Sequence, residues 1–274
     1  MSNPAQEPER GATPAPAGKT VAWFCVGNAD ERFTSLALEN LLMEMASTGT
    51  PPLSVFTSSP PFSFQPVRPG QRDRLERHFE YYTALRIPAL RLEELCQHLS
   101  EARRRSLFVS EGSRFSAIVI SGPSLPGEGV PAVADAVVLF VSKGTSTPGW
   151  VYTVSRTLAA RNPRLPIAIV FLNAAHLEEA AVAFHEVREE TLSLLGKDIR
   201  ILFAGFMRFD SDYAEAALKT GRTIIEQFPG SPLHGQVKYV LKALSKVVPA
   251  PPIEPYFSRM AAWVASRPRK TAPS

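Results

Sequence analysis

Short runs of consecutive apolar residues alternate along this chain with longer stretches in which apolar residues recur every three or four positions. The short runs predict strands over 20–26, 51–59, 115–121, 136–142, 166–173 and 199–206. The periodic stretches predict helices over 34–47, 73–84, 91–105, 148–161, 176–195, 211–219 and 232–246. In the first helix Leu36, Leu38, Leu41, Leu42 and Met45 supply the apolar positions. "FSAIVIS" and "AVVLFVS" are continuous and β-branched, as expected of parallel strands covered on both faces. Because strands alternate with helices, the connections are crossovers. The expected architecture is a doubly wound α/β domain with a mostly parallel sheet flanked by helices. In such a sheet a ligand sits beyond the carboxyl ends of the strands, where the loop after Val26 lies.

Composition sets the boundaries of that domain. Residues 1–19 are rich in proline and alanine and are expected to be disordered. Residues 60–72 read as an irregular proline-rich loop, and "PAPPIEP" at 249–255 breaks the last domain helix. The chain therefore divides into 1–19, an α/β domain over 20–248, and a linker with a terminal helix over 249–274. A hydrophobic share of 45% against 20% charged residues supports a substantial core. The net charge of +4 is too mild to call for nucleic acid. "EARRRS" at 101–106 fits a basic helix end, and the arginines of 68–77 fit a solvated face. Cys25 and Cys96 read as buried thiols, and His78, His98, His176, His185 and His234 show no ligand spacing, so no metal site is expected. No run reaches the ~20 apolar residues of a membrane span, and no signal core opens the chain. A cytoplasmic protein is the expectation.

The candidate chemistry lies in "VGNADERFTS", residues 26–35. Strand, glycine, six residues, threonine and helix is the layout of a phosphate-binding loop. There glycines let backbone N–H groups converge on the anion, a lysine supplies charge and a hydroxyl holds magnesium. Gly27 and Thr34 fall in register with G-x-x-x-x-G-K-[ST], but Arg32 stands at the second glycine and Phe33 at the lysine. Asp30 and Glu31 would face the polyphosphate. Two like charges ~5 Å apart repel by ~3 kcal/mol at an effective dielectric of ~20. An ordinary strand-to-helix turn in an unrelated α/β fold is the alternative.

The downstream half bears on that choice. Residues 184–244 resemble the C-terminal part of MinD/ParA-type ATPases, most nearly the branch that controls flagellar number and placement (the FlhG type). The resemblance rests on Leu195-Gly196-Lys197-Asp198, on Gly205-Phe206-Met207-Arg208-Phe209-Asp210 and on Pro229-Gly230-Ser231-Pro232. It extends to "ADAVVLFVSKGTSTPGWVYTVSRTL" and to "IAIVFLNAA", which places Asn173 at the family's base-contacting asparagine. Laid on the family's loop G-K-G-G-V-G-K-[ST], the signature lysine that reaches across the dimer is Asn28, and the loop lysine is Phe33. Ala29, Asp30 and Arg32 replace its glycines. The family's acidic strand ends are Thr57-Ser58-Ser59 and Ser121-Gly122-Pro123 here. The resemblance thus implies a P-loop fold with a degenerate nucleotide loop, comprising Gly27, Asn28, Asp30, Glu31, Arg32, Phe33 and Thr34, with no catalytic residue. Asn173 and Asp210 read either as residual nucleotide contacts or as structural residues, Asp210 as a helix cap. Arg208 stands where the family has proline near the base.

The terminal segment 254–270 places Tyr256, Met260, Trp263 and Val264 on one helical face with Phe257 beside them, among basic residues. Three readings follow: packing on its own domain, peripheral contact with the inner membrane, or a protein partner. Family members often end in a membrane-targeting helix of this kind.

These features and the resemblance together lead to the expectation of a non-catalytic MinD/ParA-like regulator or scaffold, working by protein contacts in positioning or assembling an envelope-associated machine. Its partners would be another protein, an active paralogous NTPase or a second copy, with no nucleic acid and no cofactor. The alternatives are a weak ATPase that binds ATP or ADP with magnesium and uses Arg32 for the lysine, and a membrane-surface adaptor.

Overall fold

The computed structural model describes residues 21–28, 31–48, 52–56, 83–85, 102, 105–106, 115, 117–121, 133–144, 147–196, 198–248 and 254–266. Segment 1–19, Asp30, the loop 60–72, Cys96, His78, His98, Arg103, Arg104 and residues 267–270 lie outside them, as do the expected helices 73–84 and 91–105 but for a few residues.

In order, the elements are β1 (Val21–Gly27), α1 (Glu31–Ser47), β2 (Pro52–Phe56), β3 (Thr83–Leu85), β4 (Ala117–Ser121), β5 (Ala136–Ser142) and α2 (Thr147–Ala159). Then come β6 (Ile167–Leu172), α3 (Leu177–Leu195), β7 (Ile201–Met207), α4 (Ser211–Thr220), α5 (Ile224–Gln227), α6 (Pro232–Leu244) and α7 (Tyr256–Ala265). The seven strands form one sheet in the order β3-β2-β4-β1-β5-β6-β7, and each pairing is parallel. From β1 the chain moves outward to β2 and β3, returns to β4, then crosses to β5 and continues to the other edge. The direction reverses between β1 and β5, so a crevice is expected at their carboxyl ends.

Period-two alternation sends the strand side chains to two separate cores. Trp23, Cys25, Val138, Phe140 and Val170 face a layer containing α1, α4, α5 and α6. Phe24, Val26, Leu139, Ile169 and Phe171 face the layer of α2, α3 and α7. Both sides of β1, β5 and β6 are thereby buried, which explains why their sequences lack polar alternation.

Two short elements depart from the sequence reading. Residues 83–85 are a strand beside β2 rather than the end of a helix, and α5 is an added single turn. Asn40, fully buried, donates to the Leu36 carbonyl and accepts the Ile225 N–H at 3.0 Å. That contact, with the Thr223 hydroxyl capping Glu226 N–H, holds α5 against α1.

The terminal helix packs on the domain. Tyr256, Phe257 and Met260 are buried in the second core, Ala261 is buried beside them, and Trp263 packs against that core. Arg259 donates to the Val133 carbonyl at 2.7 Å and pairs with Asp135 at 2.8 Å. Asp135 in turn accepts the Ala22 N–H at 2.7 Å. Of the three readings of this helix, packing on its own domain is the one the structure has, and only Val264 and Trp263 remain partly exposed on its apolar face. Among the described residues no helix is long and apolar enough to cross a membrane.

Candidate functional site

The loop after β1 is where the switch-point crevice would open. β1 ends at Gly27, and α1 begins at Glu31, three residues ahead of Thr34 and not at Phe33 or Thr34 as the motif demands. Residues 31–33 would be loop backbone around a phosphate in the motif; here they are the first turn of a helix. Arg32 is exposed in the same turn.

Asn28 does not project into a crevice. Its N–H donates to the Phe140 carbonyl at 3.1 Å, and its side-chain Oδ1 accepts the Ser142 N–H at 2.9 Å. The side chain thus adds one more rung to the β1–β5 ladder and joins the two strands at the point where they would part. Asn173 does the same between β6 and β7. Its N–H donates to the Met207 carbonyl at 2.7 Å, and its Oδ1 accepts the Phe209 N–H at 3.2 Å. Asn173 reaches that geometry at φ 61°, in the left-handed region that asparagine tolerates better than most residues.

Phe33 and Phe209 bridge these two stitches. Their rings stack at 5.7 Å between centroids with 23° between planes, joining the first turn of α1 to the turn after β7. Phe209 is buried, and Phe33 packs against the first core. An aromatic pair therefore stands where the motif's lysine would serve a phosphate.

Thr34 is held differently. Its Oγ1 is buried and has no hydrogen-bond partner among the described residues. It lies so close to Gly27 that a Cβ built there would come within 2.5 Å of it, and within 3.1 Å of the Phe140 carbonyl. Gly27 is thus required by the close approach of α1 to β1 and β5. A magnesium ion needs an oxygen that can reach it with its coordinated waters, and this hydroxyl faces packed backbone.

Asp210 caps α4, its Oδ1 accepting from Asp212 N–H at 2.9 Å and Tyr213 N–H at 3.4 Å. Arg208 is exposed; its N–H donates to Gln236 Oε1 at 2.8 Å, and its guanidinium reaches the Ala175 carbonyl at 3.4 Å. The structure therefore brings Gly27, Asn28, Phe33, Thr34 and Asn173 to one end of the sheet, with Asp210 in the adjoining turn, and gives each a contact within the chain. Sequence reading missed Phe209 and Ser142 as partners. The pairing of Phe33 with a second aromatic in the turn after β7 was the signal that could have found the first. Among the described residues no three His, Cys, Asp or Glu side chains cluster as metal ligands.

No protein-family profile and no curated protein sequence matches this chain. Solved structures do. MinD of Pyrococcus horikoshii, in complex with Mg-ADP, is 15% identical with a TM-score of 0.55, covering 83% of this chain and 96% of that one. The MinC:MinD cell division complex of Aquifex aeolicus matches at 11% identity and a TM-score of 0.54, over 83% and 96%. A plasmid partition protein of Borrelia burgdorferi bound to AMPPNP matches at 12% and 0.51, over 84% and 99%. The chain has the fold of the MinD/ParA-like P-loop NTPases.

Proposed function

We propose that this chain is a MinD/ParA-like protein whose nucleotide loop has been converted into a structural joint, and that it acts as a non-catalytic regulator or scaffold through protein contacts. The observation that carries this reading is the Phe33–Phe209 stack, set between the Asn28–Ser142 and Asn173–Phe209 stitches. These contacts occupy the carboxyl end of the sheet with the chain's own side chains. A magnesium nucleotide does not fit the residues present: Thr34 turns its hydroxyl into backbone, Phe33 brings no charge, and Asn28 is already bonded.

Support for a role in positioning or partition comes from the similar structures, which include a septum-site protein, a cell division complex and a plasmid partition protein. The resemblance to the flagellar branch narrows this to assembly or placement of an envelope-associated machine. The partner would be another protein, an active paralogue or a second copy of the chain. Without a lysine at position 28 or 33, any self-association should be indifferent to nucleotide. Light scattering with and without magnesium-ATP tests this: an unchanged mass is expected, and a dimer that appears only with ATP would overturn the reading.

Arg32, exposed in the first turn of α1, sustains the second reading of a weak ATPase. That reading requires magnesium-dependent phosphate release that Arg32→Ala abolishes.

A further inference from the structure

The outer edge of β7 lies three strands away from β1 and its loop. β7 ends the strand order, so among the described residues its outer side has no neighbouring strand. The Arg200 carbonyl accepts the Ile167 N–H at 2.9 Å, which turns the backbone groups of Arg200 and Leu202 toward β6. By alternation the N–H and C=O groups of Ile201 and Phe203 point outward. Beside them, between β7 and the C-terminal half of α6, lies an open cavity of about 440 Å³. Its floor is apolar, with Leu202, Phe203 and Tyr239 contributing, and Tyr239 is 49% exposed. Its rim is basic: Arg200, Lys242 and Lys246 are all exposed, and none has an ion-pair partner among the described residues. Gly205, at φ 121°, lets α6 lie close enough to form this wall, because a Cβ there would meet Tyr239 at 2.9 Å.

We infer that this edge docks an extended acidic segment of a partner protein, added as a further strand beside β7. A peptide backbone matches the outward groups of Ile201 and Phe203, as in other strand-addition complexes. Alternate side chains of such a strand face opposite sides: the acidic set lies on the α6 side with Leu202, Tyr239 and the three rim cations, and the apolar set on the α3 side, where Phe203 packs against Phe184. Nucleic acid or an anionic lipid surface would satisfy the cations but would leave the strand edge unpaired. The inference extends the protein-contact reading above. Its test involves no nucleotide, so failure here and failure of that reading are distinguishable.

The test uses the full chain and a fluorescein-labelled peptide of five Glu-Val repeats, followed by fluorescence anisotropy. Saturable binding is expected, with amide shifts in a labelled sample confined to β7 and α6. The exposed double variant Lys242→Glu/Lys246→Glu should retain its melting temperature and weaken binding about tenfold. The same peptide N-methylated on alternate amides, which cannot pair as a strand, should not bind. The inference is overturned if the Glu-Val peptide fails to bind at millimolar concentration, if the double variant binds it equally, or if N-methylation makes no difference. It is also overturned if a single-stranded oligonucleotide or phosphatidylserine vesicles bind this edge in preference to the peptide. Self-association lost in the double variant would identify a second copy as the occupant and would likewise overturn it.

Discussion

At the scale of single residues, Thr34 tests the proposed structural joint against a working nucleotide loop. A buried hydroxyl without a partner costs ~1–3 kcal/mol relative to a satisfied one. Thr34→Val replaces it with a methyl of similar shape. The expected outcome is a stability unchanged or raised by up to ~1 kcal/mol in urea denaturation; loss of a magnesium-dependent property on this change would count against the joint. Gly27→Ala should behave oppositely, because its Cβ would meet Thr34 and the Phe140 carbonyl. Overpacking of that kind costs ~1–3 kcal/mol, readable as a lower denaturation midpoint. Cys25 offers a chemical probe of the same core. Burial pushes its thiol up to about 12, and only the thiolate reacts. Ellman's reagent at pH 8 should leave Cys25 untouched until the protein is unfolded, whereas rapid labelling of that residue in the native chain would show that the β1 core opens. Much of this was readable beforehand: the loop's missing charge follows from Phe33 and Asn28 alone. That Asn28 bonds Ser142 was not readable, because the two residues are 114 positions apart and neither carries a pattern.

At the scale of elements, legibility followed length and burial. The run at 136–142 was recognised to the residue, since seven consecutive apolar or small residues leave no other structure for a chain of this kind. β3 and α5, three and four residues long, are too short to show a period. The start of α1 was placed at 34 because Leu36 begins the apolar series; the structure starts it at Glu31, in a turn whose Phe33 stacks on Phe209 in the turn after β7. For α7 the sequence left three destinations open, and tertiary partners decided among them. The decisive pair is Arg259 with Asp135, whose side chain is 3% exposed. Burial raises the Asp135 carboxyl above its ordinary range, while the Ala22 N–H and Arg259 pull it back. Because its folded value is raised, the stability it contributes is fully present below the unfolded value near 3.8 and declines as pH rises through the folded one. Against an Asp135→Asn reference, the stability difference should shift in that direction between pH 3.5 and the raised value; the opposite slope would mean that the pair holds the carboxylate below its ordinary range. Arg259→Ala leaves a buried carboxylate without its cation, at a cost of ~3–5 kcal/mol. Increased binding of an apolar dye should accompany that loss as Tyr256, Phe257 and Met260 come away from the domain; an unchanged denaturation midpoint would show that α7 is not anchored there.

At the scale of the whole molecule, the fold and the site diverge. Parallel β-strands buried on both faces, with crossovers in a fixed order, reproduce the architecture of MinD and partition proteins at identities of 11–15%. The same carboxyl end of the sheet is joined by two asparagine stitches and an aromatic stack. Fold is carried by the spacing of apolar positions, which tolerates wholesale substitution. A phosphate site depends on a few glycines and lysines, and those positions are the ones that differ here. The central claim is that this end of the sheet no longer takes a nucleotide. Its most direct test is a calorimetric titration of the full chain with ATP and ADP, with and without magnesium, alongside the melting temperature. A site of about 10 μM would add ~2.7 kcal/mol of stability at a hundredfold excess over its Kd, which neither readout could miss. Absence of heat and an unmoved melting temperature up to millimolar nucleotide are expected. Saturable micromolar binding that depends on magnesium would contradict the claim and return the chain to the nucleotide-driven switches its fold resembles.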